Sequence, residues 1–544
     1  MLSILGFLII LGPLVIIHEF GHYSFAKLFG VKAEIFSIGF GPRIFSKKMG
    51  ETEWRVSLIP MGGYVKLMGE DTEADVSPAE MKRALHKQAV WKRFFIFFGG
   101  PLFNFIFAAL LFMATLAIGE PQPASYIGRV VENSAAQKAG FMSGDHITAI
   151  DGKPTRLFED VMVAINEHPA KPVTFDVIHP GSSQSLQASR VEVKPEEQDG
   201  YSVYGESTHV GEINGLLLAA RSGAIGISDP SSMAGKAGIK TGDELVEMNG
   251  KSLTTWEEAE QIYKALPAQA LALKVKKAKG ETLTVSLTRP SISKNLGADF
   301  GLYSSELFVE KTVSGSPAEK AGVKAGDRLV GVGTNQVQSF FDLRDAVQRA
   351  GENEGHVDLS WERGGKLMAF KITPTSTAGR DPLMKKTVQY TVGVMPMLTL
   401  VEPIKITERI YNPFMLAYKG TEKMIVLSWR NLVSIQKMFV GDVSVKSLGG
   451  PIMIGKIAGE SLSHGLATFL TTMAILSIGL GVLNVLPVPV LDGGHLLLLA
   501  IEGVRKKPLS IRQMEIVQGV GLSLILLLMV VVMKNDIMRL PFFD

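Results

Sequence analysis

No cysteine occurs among the 544 residues. That absence excludes disulfides, a thiolate zinc site and a cysteine nucleophile. Net charge is also scarce: 56 Lys and Arg stand against 53 Asp and Glu, which leaves +3. With no basic patch interleaved with aromatics, nucleic acid is not an expected partner. The N-terminal apolar run lacks a basic lead and an A-x-A site, so a cleaved secretory signal is not expected. The middle of the chain lacks long hydrophobic runs and has the mixed polarity of soluble domains. What the chain has in quantity is apolar residues, 46% of the total, and they gather near both ends. The length suits about three or four domains.

Four stretches are apolar enough to cross a bilayer, for which a helix needs about 20 residues. The first opens with "LSILGFLIILGPLVII" at 2–17 and resumes after His22; the second is "FFIFFGGPLFNFIFAALLFMATLAIG" at 94–119. Residues 466–501 are apolar for too long to form one helix, and Pro487 and Pro489 are expected to break it. The last is "IVQGVGLSLILLLMVVVM" at 516–533. Lys and Arg crowd the loop between the first two spans, from Lys27 to Arg93, and the loop with Arg505, Lys506, Lys507 and Arg512. The positive-inside rule puts both loops in the cytoplasm, and both termini and the middle segment outside. "MIVLSWRNLVSIQKMFV" at 424–440 is a fifth candidate, interrupted by Arg430, Asn431, Gln436 and Lys437. A span there would turn the Arg505–Arg512 cluster outward, so it is expected to be an amphipathic helix on the outer membrane surface.

The middle repeats itself. "SAAQKAGFMSGDHITAIDG" from Ser134, "SSMAGKAGIKTGDELVEMNG" from Ser231 and "SPAEKAGVKAGDRLVGVGTNQ" from Ser316 share Ala-Gly followed by Gly-Asp. A short apolar strand, a helix-like stretch such as "WEEAEQIYKAL" and alternating strands follow. The pattern resembles PDZ domains of the bacterial type. The resemblance implies small barrels with an edge able to accept a peptide strand. The third copy departs at Gly331 to Asn335, where the turn is less regular.

"IIHEFGH", Ile16 to His22, places two histidines and a glutamate inside the first span. His18 and His22 are four apart, so on a helix they share a face, the spacing at which two imidazoles hold one zinc ion. Glu19 stands beside the first and can orient and deprotonate a water. Ionisable groups inside a membrane are costly unless paired, so they are read as functional. A catalytic zinc needs a third protein ligand. From chemistry alone both Asp492 and His495 of "LNVLPVPVLDGGHLLLLAIE" qualify, and Asn484 is a further polar group there. His18 lies roughly 24 Å into its span at 1.5 Å per residue. That is the cytoplasmic half of a core about 30 Å thick, and Asp492 reaches a similar depth on an oppositely running span. Asn104, in the second span, is expected to be structural.

H-E-F-G-H in the first span and N-x-x-P-x-P-x-L-D-G in a late one resemble the site-2 protease family of intramembrane metalloproteases. Two spans, tandem PDZ domains and two further spans are similar to its bacterial branch, the regulators of sigma E. "GFGP" at Gly39, "IPMGGYVKLMGE" at Ile59 and "GGPLFNF" at Gly99 also fit that branch. The resemblance implies zinc as cofactor, His18, His22 and Asp492 as its ligands, and Glu19 as general base. It implies that Asn484 helps hold the substrate. It further suggests that strands within Ala33 to Met68, with Gly62, Gly63 and Tyr64 at a Gly-rich turn, pair with an unwound substrate beside the catalytic helices. His495 is then left to a supporting or capping role. The implied substrate is a single-span membrane protein such as an anti-sigma factor, and also remnant signal peptides. Cleavage would follow trimming by an upstream site-1 protease, with the PDZ array excluding bulky substrates and the protein in a bacterial inner membrane, in a stress response.

The expected architecture is a multi-pass α-helical membrane protein of four spans. It carries a membrane-associated β-hairpin element and an extracytoplasmic array of α+β PDZ-like domains. The first membrane half covers 1–120 and the three PDZ-like domains 122–205, 206–292 and 293–380. The amphipathic segment covers 405–448 and the second membrane half 450–544. A non-catalytic PDZ scaffold is the competing reading, and an intact Glu19 argues against it. A metal transporter would need more polar residues along its spans.

Overall fold

The computed structural model describes residues 2–69, 81–180, 188–202, 206–266, 270–288, 295–337, 339–353, 355–380, 386–441, 448–507 and 510–539. The expected boundaries at 205 and 292–293, and part of the 405–448 segment, lie outside them. The chain forms two compact units. One combines Met1–Pro121 with Thr407–Asp544, and the other is essentially Gln122–Ile406.

In the first unit the helices are α1 (Leu2–Leu28), α2 (Val90–Ile118), α3 (Pro413–Val440), α4 (Pro451–Ser463), α5 (Leu466–Val485), α6 (Asp492–Arg505) and α7 (Ile511–Met538). Among the described residues four are long and apolar enough to cross a membrane: parts of α1 and α7, and all of α2 and α5. The 28-residue α3 is not one of them, in keeping with its polar interruptions. The long apolar run breaks where expected, between Val485 and Asp492, because Pro487 and Pro489 have no N–H to continue a helix. Helix α4 had no signal in the sequence. It packs against α1, where a Cβ on Gly6 would lie 2.9 Å from the Ala458 carbonyl carbon. Its N-terminus is capped from α7: the buried Asp536 carboxylate accepts from Gly450, Ile452 and Met453 N–H at 2.8, 3.0 and 3.2 Å. Ile10, Leu14, Phe112, Phe469 and Ile478 form the core where α1, α2, α4 and α5 meet.

The β element is more than a hairpin. Strands β1 (Ala33–Met49) and β2 (Thr52–Leu67) pair antiparallel, but β2 doubles back. Phe36 faces Trp54 on one side and Val65 on the other. The strand from 33 to 40 is therefore central, and 63–67 forms a separate edge. Gly62 makes the reversal, with φ at +119°, a conformation that L side chains rarely adopt.

The second unit holds three copies of one design. Each has a four-stranded antiparallel sheet of the same order, such as Lys153–Pro154, His146–Ile150, Val173–Ile178 and Ser189–Val193. Helices Phe158–Glu167, Trp256–Ala265 and Phe340–Glu352 cover the sheets. The third copy keeps this order, and at its less regular turn Gly333 takes φ +59°. The last strand of each copy returns to its first: Leu216–Leu217 to Arg129–Val130, Tyr303–Ser304 to Ile225–Gly226, and Val394–Pro396 to Val309–Thr312. Each copy therefore extends beyond the boundary expected at 205, 292 or 380, since no local pattern marks a closing strand this short.

The repeated Gly-Asp has a physical cause. Asp145, Asp243 and Asp327 are all buried, and each accepts the N–H three residues earlier, from Met142, Lys240 and Lys324 at 2.7, 2.8 and 2.8 Å. Each also meets a base on a neighbouring strand or just after it: His179, Lys277 and Arg363. The carboxylates are buried and the bases partly exposed, and removing the charge of such a buried, hydrogen-bonded carboxylate is costly. Asp327→Asn should destabilise the third copy by roughly 2–4 kcal/mol. Hydrogen exchange over Arg328–Val332 in the full chain would read this, and unchanged protection there would refute the assignment.

Candidate metal centre

The site assembles at the crossing of α1 and α2. That crossing is close because glycines face each other: a Cβ on Gly21 would come within 2.6 Å of the Gly99 carbonyl carbon. One residue on, a Cβ on Gly100 would stand 2.7 Å from His18 Cε1 and nearer still to His22 Nε2. Gly100 therefore makes room for both imidazoles. Its place in "GGPLFNF" was the only signal, and spacing could not show which rings it backs.

The four-residue spacing puts both rings on one face of α1, with His18 Nε2 and His22 Nε2 3.3 Å apart. The third group arrives from the break after α5. Val490 takes φ +85° there, strained for a β-branched residue, and turns the chain into α6. Gly493 and Gly494 allow that turn, since a Cβ on Gly494 would lie 2.5 Å from the Val488 carbonyl oxygen. Asp492 is thereby set in the first turn of α6, with Oδ2 3.1 Å from His18 Nε2 and Oδ1 3.5 Å from His22 Nε2.

These three donors lie within 4.8 Å of one another. Two imidazole nitrogens and a carboxylate oxygen form a set that suits zinc, which in catalytic sites takes a fourth ligand from water or substrate. Asp492 Oδ2 is buried, and apart from the His18 ring 3.1 Å away it meets no other donor among the described residues, as befits an atom facing a cation site. His22 Nδ1 donates to the Ile96 carbonyl at 2.8 Å, which leaves Nε2 free to coordinate. Of the two residues left open by chemistry, the structure brings Asp492 to the imidazoles. His495 instead lies flat on Phe97, with ring centroids 4.5 Å apart and planes 3° from parallel.

Glu19 is held beside this cluster by the β element. The Val65 N–H donates to its carboxylate, and a Cβ on Gly63 would lie 3.4 Å from its Cγ. Gly62 packs on Phe40 and Tyr64 stacks on Phe40 at 6.1 Å, while Gly63 faces Glu19. Asn484, at the end of α5, sets Nδ2 3.3 Å from His18 Nε2. The far end of α6 is tied to α2 by Arg93, whose guanidinium forks onto Glu502 at 3.1 and 2.5 Å. Glu502→Gln would weaken this clamp on α6. The expected result is cleavage slowed roughly 3–10-fold, equivalent to about 1 kcal/mol, with zinc content unchanged. Wild-type turnover would show the clamp to be dispensable.

The profile of peptidase family M50 matches residues 6–528. The chain belongs to this family. It is a zinc metalloprotease of the site-2 type. A regulator of sigma E protease from Haemophilus influenzae is 30% identical over 544 residues, covering 99% of each chain. The regulator of sigma-E protease RseP of Escherichia coli is 28% identical over 543 residues, covering 98% of each. Among solved structures, a PDZ domain protein from Parabacteroides distasonis is 11% identical and covers 49% of this chain and 94% of its own. Its TM-score of 0.12 is too low to bear on the fold.

Proposed function

We propose that this peptidase cuts transmembrane segments of single-span proteins of the anti-sigma factor type, and remnant signal peptides, in a bacterial inner membrane. In this reading a site-1 protease trims the substrate first. The termini and PDZ-like array lie outside, and the array turns away substrates that still carry a bulky outer domain. His18, His22 and Asp492 hold zinc, which when bound supplies Lewis-acid polarisation of the scissile carbonyl and a more acidic water.

The observation that carries the reading is the edge strand 63–67 beside Glu19. A helix hides its carbonyls in its own hydrogen bonds, so a transmembrane substrate must unwind before attack. An unwound segment has unpaired N–H and C=O groups, and in lipid these must find partners. The edge at Gly63–Leu67 can supply them and lay the segment across the cluster, with the Asn484 amide within reach of a substrate carbonyl. Glu19 takes a proton from the attacking water as the C–O bond forms. It then returns that proton to the departing amine nitrogen as the C–N bond breaks.

The test is a pair of single-span substrates in reconstituted vesicles, with and without a folded outer domain. Only the trimmed substrate should be cut, and deletion of the three repeats should allow both. Equal cleavage of the pair by the full chain would sink the filter. Val65→Pro removes the edge N–H that Glu19 accepts, so unaltered cleavage in that variant would sink both the strand-pairing step and this hold on Glu19.

A further inference from the structure

The two imidazoles of the cluster are oriented differently. His22 Nδ1 is tied to a backbone carbonyl, a partner that can only accept. His18 Nδ1 is 3.0 Å from the Nδ2 of Asn104, a side-chain amide that can either donate or accept. Asn104 is fully buried on α2, one turn beyond Gly100, and its Oδ1 has no hydrogen-bond partner among the described residues. Its backbone is fixed independently, since Ser477 Oγ on α5 donates to the Asn104 carbonyl at 2.8 Å. The backbone is thereby held in place, and the two orientations of the amide, related by a half-turn about its last bond, fill the same space.

The amide orientation and the His18 tautomer are coupled. With Nδ2 toward the ring, Nδ1 accepts, and the ring proton sits on Nε2, facing Asp492 Oδ2 at 3.1 Å. That tautomer cannot use Nε2 as a ligand. With the amide turned by 180°, Oδ1 accepts an Nδ1 proton and the Nε2 lone pair is free. We propose that Asn104 is a positioning residue: its amide oxygen holds His18 in the tautomer that binds metal through Nε2. The inference rests on His18 being a zinc ligand.

The experiment is zinc affinity of the purified full-length protein by chelator competition, with melting temperature as a check on folding. Asn104→Ala and Asn104→Leu both remove the acceptor, one leaving space and the other filling it. Each should weaken zinc by roughly 10–100-fold, the cost of losing an outer-sphere partner. Asn104→Asp keeps an acceptor and should stay within a few-fold of wild type. Ser477→Ala disturbs the same helix contact without touching the amide, and should bind zinc normally. Wild-type affinity in Asn104→Ala, or equal weakening in Asn104→Asp, would overturn the proposal. If Asn104→Asp does not fold, the Ala and Leu pair decides: equal weakening supports the lost acceptor, while weakening by Leu alone shows crowding and overturns it. His18→Ala separates the two levels. Retained affinity there refutes the ligand assignment itself, whereas its loss with Asn104→Ala unaffected refutes only the role of Asn104.

Discussion

Glu19→Gln should retain zinc and lose cleavage by roughly 10²–10⁴-fold, the span that a positioned general base contributes. The glutamine keeps the size of the side chain and its contact with Gly63, so the β element should stay in place. What disappears is the carboxylate's ability to take a proton from water and return it to the leaving nitrogen. The Val65 N–H can still donate to the amide oxygen, so melting temperature should change little. The assay is cleavage of a single-span substrate without an outer domain, run beside metal analysis of the same preparation. Undiminished turnover with full zinc would refute the proposed base. It would also reopen the scaffold reading, in which a metal site needs no base.

The second large effect is on the metal. Asp492→Ala should weaken zinc by more than about 100-fold, beyond the upper end of what outer-sphere changes cost. The substitution removes the only carboxylate of the three and leaves two imidazoles 3.3 Å apart. His495→Ala is the matched control, because that ring is committed to Phe97. It should keep its zinc. Full zinc retention in Asp492→Ala would exclude the proposed ligand set, and zinc loss in His495→Ala would point to the other histidine. A chelator should silence the wild-type protein, and added zinc should restore it.

Much of the membrane half is legible from the sequence. Apolar run length locates the helices, and Pro487 and Pro489 locate the break that starts α6 at Asp492. The four-residue spacing places His18 and His22 on one face. The repeat of Gly-Asp announces three copies of one fold because a buried carboxylate is needed at the same turn each time. Less legible are features whose partners are distant in the chain. The return of 63–67 to the far side of 33–40, the capping of α4 by Asp536 and the closing strands of the repeats all fall in this group.

For the site itself, local pattern determined the chemistry and tertiary packing decided the geometry. Residue types, helical period and hydrophobicity are properties of short segments, so two imidazoles on one face of an apolar helix, and a short list of third ligands, could be read directly. Asp492 and His495 are three residues apart on the same helix, and chemistry leaves them equivalent. The choice between them is made by the rotation of α6 against α2, where Phe97 takes one ring and the Arg93 clamp holds the helix end. Gly100 and Asn104 likewise gain their meaning only when α2 crosses α1 at glycine distance, because a hydrogen bond or a van der Waals limit acts through space and leaves no period in the chain.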